Sequence, residues 1–301
     1  MYYIGIDGGG TYSRLVAVDE EGGIIGRHAG GSTNLSVTPY NTVSDNIKRL
    51  LMEFGILTKT KLANCKALCI GSAGVDTPED AAVMECLLKE LSIPCPVKAV
   101  SHAELILATA ALGQPAAVVI AGTGSVAYAT DAEGKLRRCG GWGCQIDDGG
   151  SGYWMGMEAI RAVLMAYDGR LPETRLTNML KAHFGLAELS DIVKLIYQNS
   201  FNKAKIAELA LLVQQAAEEG DEISKSIHLR AGKELYFLAR ALIRQYHLEK
   251  CKLVVSGSIL LKNDVIRTVF ADYITKDFPN VELVSLSEKP EMGAVYLAAQ
   301  V

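Results

Sequence analysis

Basic residues are not in excess: Lys and Arg total 30 against 34 Asp and Glu, for a net charge of −4 and a pI of about 5.8. Binding to a phosphate backbone needs clustered Lys and Arg, so no nucleic-acid partner is expected. No uninterrupted apolar stretch reaches the length of a membrane span. The opening Tyr2-Tyr3-Ile4-Gly5-Ile6-Asp7 lacks the basic and apolar regions of a secretory leader. The expectation is a cytoplasmic protein with no membrane partner. Cys-x-x-Cys spacing is absent, and the cysteines number seven, most of them inside apolar stretches. That pattern argues against a disulfide framework and for reduced, mostly buried thiols.

Glycine is what the chain has in quantity. Nine of its 29 glycines fall between Gly5 and Gly31, and ten between Gly122 and Gly156. Such density suits backbone that turns sharply or approaches a ligand closely. With 301 residues, 49% of them hydrophobic, there is material for two domains, each with its own core.

The pattern along the chain is that of alternating strands and helices. Residues 2–7, 14–19 and 24–28 read as a β-meander, with Glu20-Glu21-Gly22-Gly23 as a turn. Residues 39–54 place Val43, Ile47, Leu50, Leu51 and Phe54 on one helical face. A buried strand at 66–71 precedes a helix at 78–91, with Val83, Leu87, Leu88 and Leu91 expected inward. A strand at 96–100 and a helix at 103–112 follow. After Gly113 the design restarts: strands at 116–121 and 126–130 flank a glycine turn, and a helix covers 151–167. Long helices lie between 190 and 247, then come a strand at 253–257, a helix at 263–275, a strand at 281–284 and a helix at 292–299. This predicts an α/β protein with mixed sheets in two domains, 1–113 and 114–301, the last helix (about 290–301) packing back on the first.

Three loops carry the chemistry. Asp7-Gly8-Gly9-Gly10-Thr11 joins two strands, and its amides, with the hydroxyls of Thr11 and Ser13, suit phosphate oxygens. It lacks the Gly-Lys-Ser/Thr ending of a Walker A loop. A strand rather than a helix follows it, which also separates it from a dinucleotide fingerprint. Gly122-Thr123-Gly124-Ser125 repeats this hairpin in the second half. Gly257 and Ser258 sit between a buried strand and a helix, where a small residue lets an adenine ring approach the backbone.

In this order and spacing the three loops resemble the ATPase superfamily of actin, hexokinase and the heat-shock chaperones. Gly140-Gly141-Trp142-Gly143 followed by Asp148-Gly149-Gly150-Ser151-Gly152, together with Ser32-Thr33-Asn34, resembles more closely the N-acetylglucosamine kinase branch of the BadF/BadG/BcrA/BcrD ATPases. The resemblance implies two actin-like (ribonuclease H-like) α/β domains with mixed sheets and a ligand cleft between them, and an ATP-dependent kinase of the 6-hydroxyl of an amino sugar. It implies that Gly9, Gly10, Thr11, Gly122, Thr123 and Gly124 take phosphates and that Gly257 and Ser258 border the adenosine. Asn34, Gly141, Trp142 and Asp148 would bind the sugar, and Asp7 would hold Mg²⁺ through water. Trp142 as a core aromatic and Asp147-Asp148 as a solvated turn or helix cap are the plain alternatives.

The sequence departs from the family at the expected catalytic aspartate, where His102 stands in Ser101-His102-Ala103-Glu104. Four accounts remain open at this point. His102 is the base, since neutral imidazole accepts protons well near pH 7; or it marks an acidic substrate such as a muramic acid; or it marks a sensor with lost catalysis; or it is a plain helix-start residue. The remaining histidines lack metal-ligand spacing. A reductase-activating ATPase is a competing class, but the cysteine pattern does not match its iron–sulfur motif. The apolar-rich helices between 190 and 247 point to a homodimer.

Overall fold

Residues Tyr2–Gly8 are apolar at nearly every position. The computed structural model, which describes residues 1–197, 203–286 and 288–301, shows this strand (β1) buried on both faces. β2 (Tyr12–Asp19) and β3 (Ile24–Gly31) complete an antiparallel meander with it. The chain then forms α1 (Tyr40–Thr58), β4 (Cys65–Ser72), α2 (Pro78–Glu90), β5 (Val97–Ser101) and α3 (His102–Ala111). The sheet order is β3-β2-β1-β4-β5, with β4 parallel to β1 and β5 parallel to β4.

Side-chain alternation assigns each face its helices. Ile4, Ile6, Leu15, Ala17, Leu68 and Ile70 pack with α1 and α2. Helix α1 buries Val43, Ile47, Leu50, Leu51 and Phe54, the stripe expected from the sequence. Helix α2 differs: Val83 is 47% exposed and Met84 takes the inward place beside Leu87 and Leu88, while Leu91 lies past the helix end. Both registers put apolar residues three and four apart, and only contact with the sheet chooses between them.

The second unit comprises residues 117–131 and 137–284. It contains β6 (Ala116–Ala121), β7 (Ser125–Thr130), β8 (Leu136–Gly140), α4 (Gly152–Tyr167), α5 (Leu176–Phe184) and α6 (Asp191–Tyr197). These are followed by α7 (Lys203–Glu218), α8 (Glu222–Gln245), β9 (Lys252–Ser256), α9 (Ser258–Lys262), α10 (Asp264–Asp277) and β10 (Glu282–Val284). Its sheet order, β10-β9-β6-β7-β8, read backwards is the order of the first sheet. The echo between halves is therefore topological. Ala117, Val119, Ala121, Ala127 and Ala129 share one core with Ala159, Leu180, Val213, Leu235 and Phe270 of five surrounding helices. Helix α5 was not anticipated from the sequence, and part of the expected helical stretch, residues 198–202, lies outside the described residues.

The last helix, α11 (Pro290–Ala298), belongs to the first unit, which comprises residues 1–116, 132–136 and 285–301. It covers the other sheet face with α3: Ala294 and Ala298 meet Ala67, Cys69 and Leu105, while Met292 and Val295 meet Val16 and Val18. Glu291, 2% exposed, pairs with Arg27 Nη1 at 2.7 Å and ties α11 to β3. All seven cysteines are free; Cys65, Cys69 and Cys251 are buried and Cys86 is exposed. Burial pushes the Cys69 thiol up to about 12 and that of Cys251 up to about 11, so both stay protonated and inert at neutral pH.

At Gly293 a Cβ would overlap the Leu105 carbonyl oxygen and lie 2.6 Å from Thr109 Oγ1. A backbone carbonyl cannot rotate away as a side chain can. Gly293→Ala should therefore destabilise the protein by about 2–3 kcal/mol, read as a clear drop in Tm. An unchanged Tm would contradict this packing of α11 on α3.

Candidate active site

The parallel strands β1, β4 and β5 end side by side: Gly8 is in register with Ser72, and Ser72 with Ser101. The carboxyl edge of such a sheet is where α/β proteins place ligands. Asp7 lies at the end of β1, and α3 begins directly after β5, so His102 occupies its first turn. The start of α3 is set by a capping box: Ser101 Oγ accepts from the Glu104 N–H at 3.2 Å. The Glu104 carboxylate accepts from the Ser101 N–H and hydroxyl at 2.8 and 3.0 Å. Glu104 is thereby consumed in structure. His102 Nδ1 is 2.7 Å from Asp7 Oδ1; Asp7 is 8% exposed and the His102 side chain 35%. Sequence spacing gave no sign of this pairing across 95 residues.

The first hairpin is held from beside. Gly9 donates its N–H to the Tyr12 carbonyl at 3.0 Å, and its own carbonyl accepts from the Thr33 N–H and the Ser32 hydroxyl. Gly10 and Thr11 are left exposed, with Asn34 adjacent. Asn34 Oδ1 is used by the Ser36 N–H at 2.8 Å, while no described residue engages its Nδ2. Ser13, expected among the phosphate donors, is instead fully buried, its hydroxyl 3.0 Å from that of Thr33. Strand parity turns it inward, where its hydroxyl meets Thr33 and braces the hairpin.

In the second unit the hairpin Gly122-Thr123-Gly124 docks on α4. The Gly122 and Thr123 carbonyls accept from the Gly152 and Tyr153 N–H groups at 2.8 and 3.1 Å. Ser151 caps α4 by accepting from the Trp154 N–H, so Asp148 is not the cap. Asp148 is buried, adopts a left-handed φ of 61°, and lies against Gly124, whose added Cβ would come 2.7 Å from Oδ2. Burial pushes its carboxyl above the usual range, opposed by hydrogen bonds from the Ser125 and Gly143 backbone. Its solvated-turn reading is therefore wrong. Gly140, Gly141 and Gly143 all have positive φ, and the Arg138 guanidinium donates to the Gly140 and Gly141 carbonyls while lying 5.0 Å over the Trp142 ring. Trp142 is 67% exposed, which rules out the core-aromatic alternative.

A pocket of about 390 Å³ in this unit is lined by Gly122, Thr123, Gly152, Ser258, Lys262 and Asn263, among others. It unites the second hairpin with the Gly257-Ser258 turn, two loops more than 130 residues apart in the chain. Gly257 caps α9 with φ 86°, and a Cβ there would overlap the Ala121 carbonyl. Lys262 had one sequence signal, its position four residues after Ser258 on α9.

Among the described residues no helix is long and apolar enough to cross a membrane, and no three His, Cys, Asp or Glu side chains cluster as a metal site. The sequence profile of the BadF/BadG/BcrA/BcrD ATPase family matches residues 4–298. The chain is 32% identical to the N-acetylmuramic acid/N-acetylglucosamine kinase of Clostridium acetobutylicum, over 99% of this chain and 98% of that one. It is 30% identical to the N-acetyl-D-glucosamine kinase of Dictyostelium discoideum, over 98% and 97%. Its fold matches the crystal structure of a proposed N-acetylglucosamine kinase from Chromobacterium violaceum with a TM-score of 0.73 and 25% identity, over 99% of this chain and 98% of that one.

Two outcomes check this geometry. Because the folded-state pKa of Asp148 is raised, its ionised form costs stability above the ordinary carboxylate range, and that cost vanishes at lower pH, where it is protonated in both states. Asp148→Asn, which tolerates the left-handed backbone, should raise Tm at pH 7 and lose that advantage near pH 4. Gly257→Ala should lower Tm by several degrees, as both φ and the Ala121 carbonyl forbid a side chain.

Proposed function

The chain belongs to the BadF/BadG/BcrA/BcrD ATPase family, and on that premise we propose that it is an ATP-dependent amino-sugar kinase. It transfers the γ-phosphoryl group to the 6-hydroxyl of N-acetylglucosamine or N-acetylmuramic acid. The observation that carries this reading is the pocket of about 390 Å³ that Gly122 and Thr123 share with Ser258 and Lys262, which supports a nucleotide lying between the second hairpin and the Gly257-Ser258 turn. The exposed amides of Gly10 and Thr11 take phosphate oxygens in the first unit, as those of Thr123 and Gly124 do in the second. The Gly9 and Gly122 N–H groups, expected to join them, are instead spent on the Tyr12 and Gly124 carbonyls and shape the two hairpins.

Asp7 fits the magnesium role. One of its oxygens bonds His102, and no described residue engages the other. Mg²⁺ keeps most of its waters and takes only one or two carboxylates alongside substrate phosphates, so a single hard oxygen suits it. When bound, the ion neutralises charge developing on the transferred group. Asn34 offers an uncommitted amide to a sugar hydroxyl or acetamido carbonyl. Trp142 presents an exposed ring face for stacking, beside the backbone of Gly141, and Asp148 orients hydroxyls. His102 accepts the proton of the 6-hydroxyl, because Glu104 is bound in its cap.

With Mg-ATP, ADP formation should depend on N-acetylglucosamine or N-acetylmuramic acid and run at least about tenfold slower with glucose, which lacks the acetamido group. His102→Ala should lower kcat by about 10²–10⁴-fold. Silence with every amino sugar, in protein that binds ATP, would overturn the kinase reading.

A further inference from the structure

We propose that Asp7 is a positioning residue for His102, holding its ring in one tautomer and one orientation. The 2.7 Å distance joins Asp7 Oδ1 to Nδ1 of the ring. An ionised carboxylate only accepts, so Nδ1 is the donor; in a neutral imidazole the lone pair then lies on Nε2. The two backbones are fixed independently of each other. Asp7 is locked in β1 between β2 and β4, in register with Arg14 and Gly71. His102 is locked by the reciprocal Ser101–Glu104 cap at the start of α3. Asp7 is buried and His102 half-buried, so the hydrogen bond is shielded at the carboxylate end while the ring stays accessible to a small substrate.

This arrangement explains how a histidine serves where the family's pattern has an aspartate. A carboxylate offers lone pairs on two equivalent oxygens, whereas imidazole offers one, on one nitrogen, and only in the right tautomer. The chemistry rests on the kinase reading. The acceptor hydroxyl gives its proton to Nε2 as its oxygen bonds the γ-phosphorus. The bond from that phosphorus to the bridging oxygen breaks, and its electron pair leaves on ADP. The tautomer assignment itself rests on the 2.7 Å contact and on a carboxylate being an acceptor, and does not need the kinase reading.

The test is long-range ¹H–¹⁵N NMR of ¹⁵N-histidine protein at pH 8 with a metal chelator present, His102 being assigned by its loss in His102→Gln. Wild type should show a single neutral tautomer with hydrogen on Nδ1, and Asp7→Ala should lose that single pattern. In parallel, Asp7→Ala should cut kcat by about 10²–10⁴-fold while the sugar KM changes less than about threefold. A purely metal-holding Asp7 would lower kcat too, yet leave the chelated tautomer untouched, and that result overturns the proposal. Hydrogen found on Nε2 in wild type also overturns it. A wild type silent toward amino sugars would sink the kinase reading instead, and the NMR result would still decide the pairing.

Discussion

Backbone laid directly on backbone is the constraint from which both units take their form. Helix α11 lies across β1 and α3 so closely that Gly5 faces the Glu291 carbonyl and Gly293 the Leu105 carbonyl, with only hydrogens between. In the second unit the same closeness brings Gly257 against Ala121, which sets the strand-to-helix turn beside β6. Peptide groups cannot yield as side chains do, so these contacts admit no Cβ. The parallel register then aligns the ends of β1, β4 and β5, and it is there that Asp7, the first glycine loop and His102 collect.

The loops then divide their hydrogen-bonding groups in two. One set is spent on structure: the Gly9 carbonyl on Ser32 and Thr33, the Gly122 and Thr123 carbonyls on the start of α4, Glu104 on its cap. The other set stays uncommitted at Gly10, Thr11, Thr123 and the Asn34 amide. A loop that spent all its donors internally would be a turn and nothing more. Asp148 shows the cost that accompanies the uncommitted set, with a left-handed backbone and a buried carboxyl raised by desolvation. Left-handed residues also close helices far from these loops, at Lys59, Ser92 and His247, but of the four only Asp148 is a buried acid. Other helices start on ordinary caps at Thr77, Asp221 and Asn263.

Local pattern carried far in some places and failed in others for identifiable reasons. The buried stripe of α1 was legible to the residue, because it is long and unambiguous, although the helix continues four residues past Phe54, to Thr58, where the stripe has ended. Helix α2 was legible in extent and wrong at Val83, since two overlapping stripes differ by a single residue. The three glycine loops could be found from composition and spacing. Ser13 could not be separated from Thr11 as a donor, because strand parity at a hairpin depends on where pairing begins.

The sequence by itself determined the alternation of strands and helices, the two-fold recurrence of a glycine hairpin, and the family, because these depend on periodicity and on residues a few positions apart. Only the tertiary structure decided which groups face one another. It joined Asp7 to His102, spent Glu104 on the cap of α3, and put the second hairpin and Ser258 on one pocket. The physical reason is that hydrogen bonds and packing act over a few ångströms. The chain distance between their partners leaves no periodic trace, and only the register of strands and the docking of helices brings them within reach.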